Sequence, residues 1–230
     1  MKSVEEWAVA FDILWNNIAS DKAPGLEPYE ISRFLTNAQE TIVVSLYKGA
    51  TGNAFESTEE VTNYLATLIK QDTGKMSNAV VPHIYKESTV FEVPDDLLFR
   101  TWEGCTIINS CNKEVSVPVI PITQDEFWRT VRNPFKKQND QRVLRLAYST
   151  ENGDKDTLVE TKYVELISDN SIVDYTVRYL AKPSPIILEK LENGLTINGE
   201  TDAMTCKLPE VLHQTILAEA VRMAKAVWNM

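Results

Sequence analysis

The stretch that decides the fold is RVLRLAYSTENGDKDTLVETKYVELI, residues 142–167. Two segments rich in apolar, β-branched and aromatic residues flank a polar stretch that contains Asn152-Gly153. Asn-Gly favours the tight turn that joins neighbouring antiparallel strands, because both residues tolerate positive φ. The stretch therefore predicts a β-hairpin and places an antiparallel sheet at the centre of the fold.

Further strand-like segments lie on both sides of this hairpin, separated by Pro, Asp or Gly signals. They are AVVPHIY at 79–85, STVFEV at 88–93, CTIIN at 105–109, EVSVPVI at 114–120 and SIVDYTVRYL at 171–180. Apolar and polar residues alternate from Val173 to Tyr179, which is typical of a half-buried antiparallel strand. The polar stretch at 70–79, KQDTGKMSNA, is predicted to be a loop. KPSPIIL at 182–188 excludes a helix because it contains two prolines.

Amphipathic helices are predicted at both ends of the chain. Apolar residues spaced three and four apart mark one helix from Ser3 to Ile18, a second from Ile31 to Leu46 and a third after Ser57. A C-terminal helix begins at Pro209, a favourable first helical residue. QDEFWRTV at 124–131 predicts a two-turn helix.

The predicted fold class is therefore α+β. It has a helical N-terminal part at 1–70, an antiparallel β-rich part at 79–207 and a C-terminal amphipathic helix at 208–230, packed as one domain.

Composition restricts the function. The 230-residue chain is 43% hydrophobic and has a formal net charge of -10, which argues against a protein that coats nucleic acid. The sequence shows neither a signal peptide nor an apolar run of membrane-span length, so no membrane association is predicted. Three cysteines without a Cys-x-x-Cys pair predict reduced thiols.

The sequence shows no pattern for catalysis or cofactor binding. His83 lies in a predicted strand, and the helix around His213 lacks the second histidine and the glutamate of a zinc site. Cys105 and Cys111 have no further ligand nearby, and glycine-rich phosphate-binding motifs are absent. We therefore predict no enzyme activity, metal or cofactor. A hydrolase with an unrecognised carboxylate pair is the less favoured alternative to a non-enzymatic role.

Basic residues gather in RTVRNPFKKQNDQRVLRL, residues 129–146, where Asp140 is the one acid. One interpretation is a docking segment for an acidic partner, and another is a solvated loop. A third is a nucleic-acid-binding module that uses Arg129–Arg145. Trp228, near the chain end, either packs on the helices or contacts a neighbouring subunit. The candidate interface residues are Arg129, Arg132, Phe135, Lys136, Lys137, Arg142 and Trp228.

Several short patterns resemble small structural proteins of crAss-like bacteriophages. In residues 11–43 they are Phe11-Asp12, Ala23-Pro24-Gly25-Leu26, Tyr29-Glu30 and Ala38-Gln39. RNPFKK at 132–137, VRYLAKPSPIIL at 177–188 and LPEVLHQTILAEAV at 208–221 continue the similarity, which therefore spans most of the chain.

The resemblance implies a ring protein of the phage neck, the connector between portal and tail. It implies no reaction and no cofactor. The expected partners are about eleven further copies in a closed ring matched to the portal, the portal protein, adjacent neck or tail rings, and DNA in transit. We expect the first ring of the stack, directly against the portal, in a virion assembled from chains made in the bacterial cytoplasm.

Overall fold

The computed structural model describes residues 3–16, 25–49, 59–76, 85, 88–152 and 159–227. At 148–152 and 159–162 it describes the backbone. The α-helices are α1 Val4–Asn16, α2 Pro28–Gly49, α3 Glu59–Leu65, α4 Phe127–Val131 and α5 Glu210–Val227. The strands are β1 Ile69–Thr73, β2 Lys75–Met76, β3 Thr89–Glu92, β4 Leu97–Ile108, β5 Glu114–Pro121, β6 Val143–Asn152, β7 Val159–Ile167 and β8 Ser171–Ala181. The predicted α+β class is confirmed.

The chain forms two compact units. The helical unit comprises Met1–Leu68 with Lys182–Met230, and the sheet unit comprises Ile69–Ala181. The segment 182–207 therefore groups with the helices, whereas the predicted boundary placed it with the strands. That the three predicted parts pack as one domain stays a prediction.

The sheet closes on itself. Its strand order is β1-β8-β4-β5-β6-β7-β3-β2, and Gly74 alone separates the two strands at its ends. The Gly74 N–H donates to the Tyr175 carbonyl at 2.9 Å and so extends the pairing of β1 with β8. Lys75 and Met76 then pair with β3. One nearly continuous strand thus completes both ends of the sheet.

The loop prediction for 70–79 is wrong as far as Met76, because this stretch contains the closing strand. From Lys70 to Thr73 its side chains are exposed. Alternation of apolar and polar residues, the signal for a half-buried strand, is therefore missing from the sequence. The third predicted helix also ends early, at Leu65, and Ile69 already belongs to β1.

The predicted hairpin at 142–167 is confirmed as the antiparallel pair β6 and β7, with Asn152 opposite Val159. Its turn lies outside the described residues. Predicted strands at 88–93, 105–109, 114–120 and 171–180 correspond to β3, β4, β5 and β8. The strand predicted at 79–85 lies outside the described residues except for Tyr85, which is in a bend.

One neighbouring pair, β5 and β6, is parallel, with Val119–Pro121 beside Val143–Arg145. Parallel strands need a crossover connection of a dozen or more residues. Residues 122–142 supply it and carry α4 together with most of the basic segment. The position of that segment is thus a consequence of the topology.

The interior of the sheet unit is one apolar cluster. It comprises Phe91, Val93, Leu97, Cys105, Ile107, Val117, Val119, Val143, Val164, Leu166, Tyr175, Val177, Tyr179 and Ala181. Tyr175, Val177 and Tyr179 are buried as predicted, but Val173, near the start of β8, is 47% exposed. The alternation therefore holds only from Tyr175 onward.

In the helical unit, a buried polar stripe on α2 holds an extended segment. The Gln39 amide donates to the Ser184 carbonyl at 2.8 Å. The Thr36 hydroxyl accepts from Ile186 N–H at 3.1 Å, and the Ser32 hydroxyl accepts from Leu188 N–H at 3.0 Å. Helix spacing of three and four residues thus matches the two-residue repeat of an extended chain.

The predicted helices α1, α2 and α5 are confirmed, although α1 is described only to Asn16. On α5, His213 is buried and its Nε2 lies 2.9 Å from the Leu208 carbonyl oxygen. The His213 ring also packs 5.1 Å from that of Trp7. No helix within the described ranges has the length and apolar character needed to cross a membrane.

Candidate partner interface

Helix α4 is fixed to the sheet unit by Phe127. Its side chain is fully buried and packs with Leu144, Leu146 and Ile167 of β6 and β7. A five-residue helix has little stability of its own, so this aromatic anchor is what orients the crossover. The residues beside Phe127 are thereby held at the surface.

Trp128 is the first of these surface residues and is 57% exposed. Its ring meets Phe127 edge-on at 4.9 Å, and the Arg132 guanidinium lies 5.8 Å from its centroid. Such cation–π contacts stabilise an exposed pair by about 0.5–1 kcal/mol. Trp128 was not among the predicted interface residues. The sequence signal for the Trp128–Arg132 contact is their spacing of four residues, at the end of the helix predicted at 124–131.

The turn after α4 holds Phe135 in place. The Asn133 side-chain oxygen accepts from Phe135 N–H at 2.9 Å, and the Asn133 carbonyl accepts from Lys137 N–H at 2.9 Å. Arg142 donates from Nη2 to the Phe135 carbonyl at 2.6 Å. Phe135 is nevertheless 84% exposed. The turn thus presents a large apolar side chain to solvent at a fixed backbone position.

The cationic residues around Phe135 are exposed. Arg129, Arg132, Lys136 and Lys137 form no ion pair with any described residue. Asp140 accepts hydrogen bonds from Ser110 at 3.0 Å and from Asn170 at 2.7 Å, so its carboxylate is engaged elsewhere. We define the knob as the exposed residues Trp128, Arg129, Arg132, Phe135, Lys136 and Lys137.

Of the predicted interface residues, five lie in the knob and Arg142 supports it from a half-buried position. Trp228 lies outside the described residues.

Arg145, counted with the basic segment, is not at the surface. Its Nε lies 3.0 Å from Glu103 Oε2, and the two side chains are 11% and 7% exposed. Burial lowers the pKa of the Arg145 guanidinium, and the Glu103 carboxylate opposes that shift. Tyr175 donates a hydrogen bond to the other Glu103 oxygen. Arg145 therefore belongs to a buried polar network inside the sheet unit, and the nucleic-acid alternative loses one cation.

Aromatic and arginine side chains are enriched at protein–protein interfaces, so the exposed Trp128, Phe135 and Arg132 are typical of a protein that assembles with partners. Comparison with known proteins identifies the family of this assembly component. The chain belongs to the phage tail ring protein 3/4 family, whose model matches residues 2–230.

Two relatives from Bacteroides phage crAss001 are similar over nearly their whole lengths. The chain is 34% identical to Ring protein 3 over 232 residues, which are 96% of this chain and 94% of the relative. It is 32% identical to Ring protein 4/5 over 236 residues, which are 99% of this chain and 94% of the relative. The resemblance to ring proteins of crAss-like phages is confirmed.

Family membership indicates a structural ring component of the virion that assembles with other phage tail proteins. The relatives are named as ring proteins, which favours a non-enzymatic role.

Proposed function

We propose that the protein forms a homo-oligomeric ring of about twelve copies in the phage neck, between portal and tail, and that this ring surrounds the DNA channel. Membership of the ring protein family supports the ring. The formal net charge of -10 supports the channel, because an acidic lining repels the phosphate backbone and lets DNA pass without binding.

The knob is the observation that carries the proposal. Phe135 supplies an apolar tip, and the surrounding cations supply orientation toward an acidic neighbour in the ring stack. Complementary charge at a contact gives register and specificity more than affinity. A ring stack needs such registered contacts at every interface.

We also propose direct contact with the portal, and this part of the proposal is supported by the sequence resemblance alone. The relatives carry the numbers 3 and 4/5 in their names, which lend no support to the first position in the stack.

The first test is the amount of this chain in purified virus particles relative to the portal protein, measured by quantitative peptide mass spectrometry. We expect a ratio near one, because a ring matched to the portal has the same number of copies. Absence of the chain from particles would contradict a structural role in the virion.

The second test reverses charge in the knob with Arg132→Glu, Lys136→Glu and Lys137→Glu. We expect an unchanged circular dichroism spectrum, because these side chains are exposed, and particles that lack joined tails in electron micrographs. The matched control reverses three exposed cations of the helical unit, Arg33, Lys182 and Lys207. Normal particles from the knob variant would remove the knob from the proposal.

A further inference from the structure

The solvent-facing side of α1 carries an aliphatic pair. Val9 and Ile13 are each 58% exposed. Their spacing of four residues places them side by side on the helix, away from the face on which Trp7, Phe11 and Trp15 are buried. An amphipathic helix at a protein surface normally carries polar residues on its outer side. The pair is therefore accessible to a binding partner.

Acidic side chains surround this pair. Glu5, Glu6 and Asp12 are exposed, and the helix contains no lysine or arginine. Glu5 lies four residues before Val9 and Asp12 three residues after it, so all three share one side of the helix. We define the α1 face as Glu5, Glu6, Val9, Asp12 and Ile13. It is apolar at its centre and negatively charged at its margin.

The sheet unit presents a depression that suits such a centre. Trp102 on β4 is 51% exposed, and its ring lies over Gly104, where a Cβ atom would be 2.6 Å from Trp102 Cη2. Beside the ring is a depression of about 300 Å³, and the residues that line it are uncharged. They include Thr106, Ser116, Pro118 and Thr176. An uncharged depression bordered by an indole ring favours an aliphatic occupant.

Arg178 on β8 places a positive charge at the margin of this depression. Its guanidinium lies 6.0 Å from the centroid of the Trp102 ring, and its Nε donates to Gln71 Oε1 at 2.9 Å. The side chain is exposed and forms no ion pair within the part of the chain that the structure describes. Arg178 is thus held beside the depression and can pair with an acid of a partner. We define the Trp102 site as this depression together with Arg178.

The two surfaces complement each other. The α1 face has an aliphatic centre and an acidic margin, whereas the Trp102 site has an apolar centre and a cationic margin. A closed ring of identical copies needs two different complementary surfaces on each copy, because every contact is head-to-tail. The chain carries such a pair, one surface on the helical unit and one on the sheet unit.

We propose that the α1 face of each copy docks on the Trp102 site of the next copy and so closes the ring. The proposal rests on the ring proposed above. Val9 and Ile13 enter the depression, and the acids of α1 meet Arg178, which sets the register of the contact. The knob keeps its acidic partner in the neighbouring ring. Contacts within one ring and contacts between rings therefore use different surfaces.

The first test removes the aliphatic centre with Val9→Ser and Ile13→Ser. We expect this variant to need about tenfold more protein than the wild-type chain to form rings, by native mass spectrometry and negative-stain electron microscopy. Its circular dichroism spectrum should not change, because both side chains are exposed. The matched control is Val211→Ser with Val227→Ser on α5, at residues 68% and 65% exposed. Normal rings from the α1 variant would overturn the proposal.

The second test reverses charge on each surface separately. The helix variant carries Glu5→Arg and Asp12→Arg, and the sheet variant carries Arg178→Glu. We expect each alone to form rings poorly and an equimolar mixture to restore them. Rings from the mixture should contain equal numbers of the two chains, because only unlike copies then complement each other.

The controls for this test reverse exposed charges elsewhere, with Arg33→Glu in one chain and Glu189→Arg plus Glu192→Arg in another. Both control chains should form rings alone. A chain that combines the helix and sheet changes should also assemble. Rescue by this combined chain without rescue by the mixture would mean that the contact forms within one chain, which overturns the inference.

The outcomes separate this inference from the proposed function. Wild-type rings together with an inactive mixture would overturn the contact and leave the ring intact. Normal rings but unjoined tails from the Val9→Ser, Ile13→Ser variant would assign the α1 face to a neighbouring ring, which also overturns the inference. A wild-type chain that stays monomeric in solution but occurs in particles near the portal ratio would overturn self-closure alone. Absence from particles would overturn the proposed function.

Discussion

Gly74 is the single residue between the two ends of the sheet, and its lack of a side chain permits them to meet. A Cβ atom at this position would lie 2.6 Å from Tyr175 Cδ1 and 3.3 Å from the Glu92 carbonyl oxygen. Tyr175 cannot easily move away, because it is fully buried and its hydroxyl donates to Glu103. The closure point is thus sterically restricted to glycine.

We expect Gly74→Ala to lower the free energy of unfolding of the sheet unit by about 1–3 kcal/mol, the usual cost of forcing an atom into a packed site. Urea unfolding followed by tryptophan fluorescence measures it. Gly25→Ala is the control, because a Cβ there meets nothing within 4 Å. Equal stability of the two variants would show that the strand ends can separate at little cost.

Thr36 satisfies both backbone groups of one buried residue. Its hydroxyl accepts from Ile186 N–H at 3.1 Å and donates to the Ile186 carbonyl at 3.3 Å. We expect Thr36→Val to lower the free energy of unfolding by about 1–3 kcal/mol, because an isosteric methyl leaves the buried N–H unpaired. Thr41→Val on the exposed face of α2 is the matched control. Equal urea midpoints for the two would contradict the role of the polar stripe.

His213 makes the stability of the helical unit depend on pH. Burial lowers its pKa, outweighing the Leu208 carbonyl and Glu210, which raise it. Below the unfolded-state pKa of about 6.5, the unfolded chain therefore binds more protons than the folded one, and stability falls as pH drops. We expect His213→Gln to flatten the dependence of the urea midpoint on pH below about 6.5. An identical slope in both proteins would contradict this assignment.

At the scale of elements, the sequence predicted the helices and strands that have one buried apolar face and one exposed polar face. Helices α1, α2 and α5 show apolar periodicity, and the β6–β7 hairpin carries Asn-Gly between two apolar runs. The closing strand escaped prediction because its identity depends on two distant strands and not on its own exposed side chains. Long-range pairing of that kind leaves no local pattern.

Phe127 anchors helix α4 in the core of the sheet unit, whereas Phe135, in the turn after the helix, is exposed to solvent. Phe127→Ala should lower the free energy of unfolding by about 3–5 kcal/mol, because it empties a buried aromatic site. Phe135→Ala should leave stability unchanged and lower the fraction of particles with joined tails, since the Phe135 side chain is exposed. Thermal unfolding and electron microscopy of the two variants measure both effects. Stability loss from Phe135→Ala would mean that it packs within its own chain.

At the scale of the whole molecule, the sequence shows where basic residues gather but not which of them face solvent. The cluster of six basic residues was visible in the sequence, but the sequence could not show that Arg145 turns to a buried Glu103 while its neighbours face solvent. Strand pleating decides that division, and the partner lies on β4, far away in sequence. The sequence therefore indicates roughly where the knob lies but not which residues belong to it.

We expect the chain to bind duplex DNA weakly, because a formal net charge of -10 opposes the four knob cations. Fluorescence anisotropy with a labelled duplex at several salt concentrations measures this. Tight binding that weakens steeply with salt would favour the nucleic-acid-binding alternative. The knob variant described above distinguishes a local contact from a general one.

The closed sheet also has a mechanical consequence. An open sheet can be pulled apart one strand at a time from an edge, but here β1 and β2 are parts of one strand held on both sides, by β8 and by β3. A tensile load on the sheet unit is therefore shared by two rows of hydrogen bonds that must fail together. Force spectroscopy would register this as a single high rupture event, and for a particle component it means that the unit deforms little before it breaks.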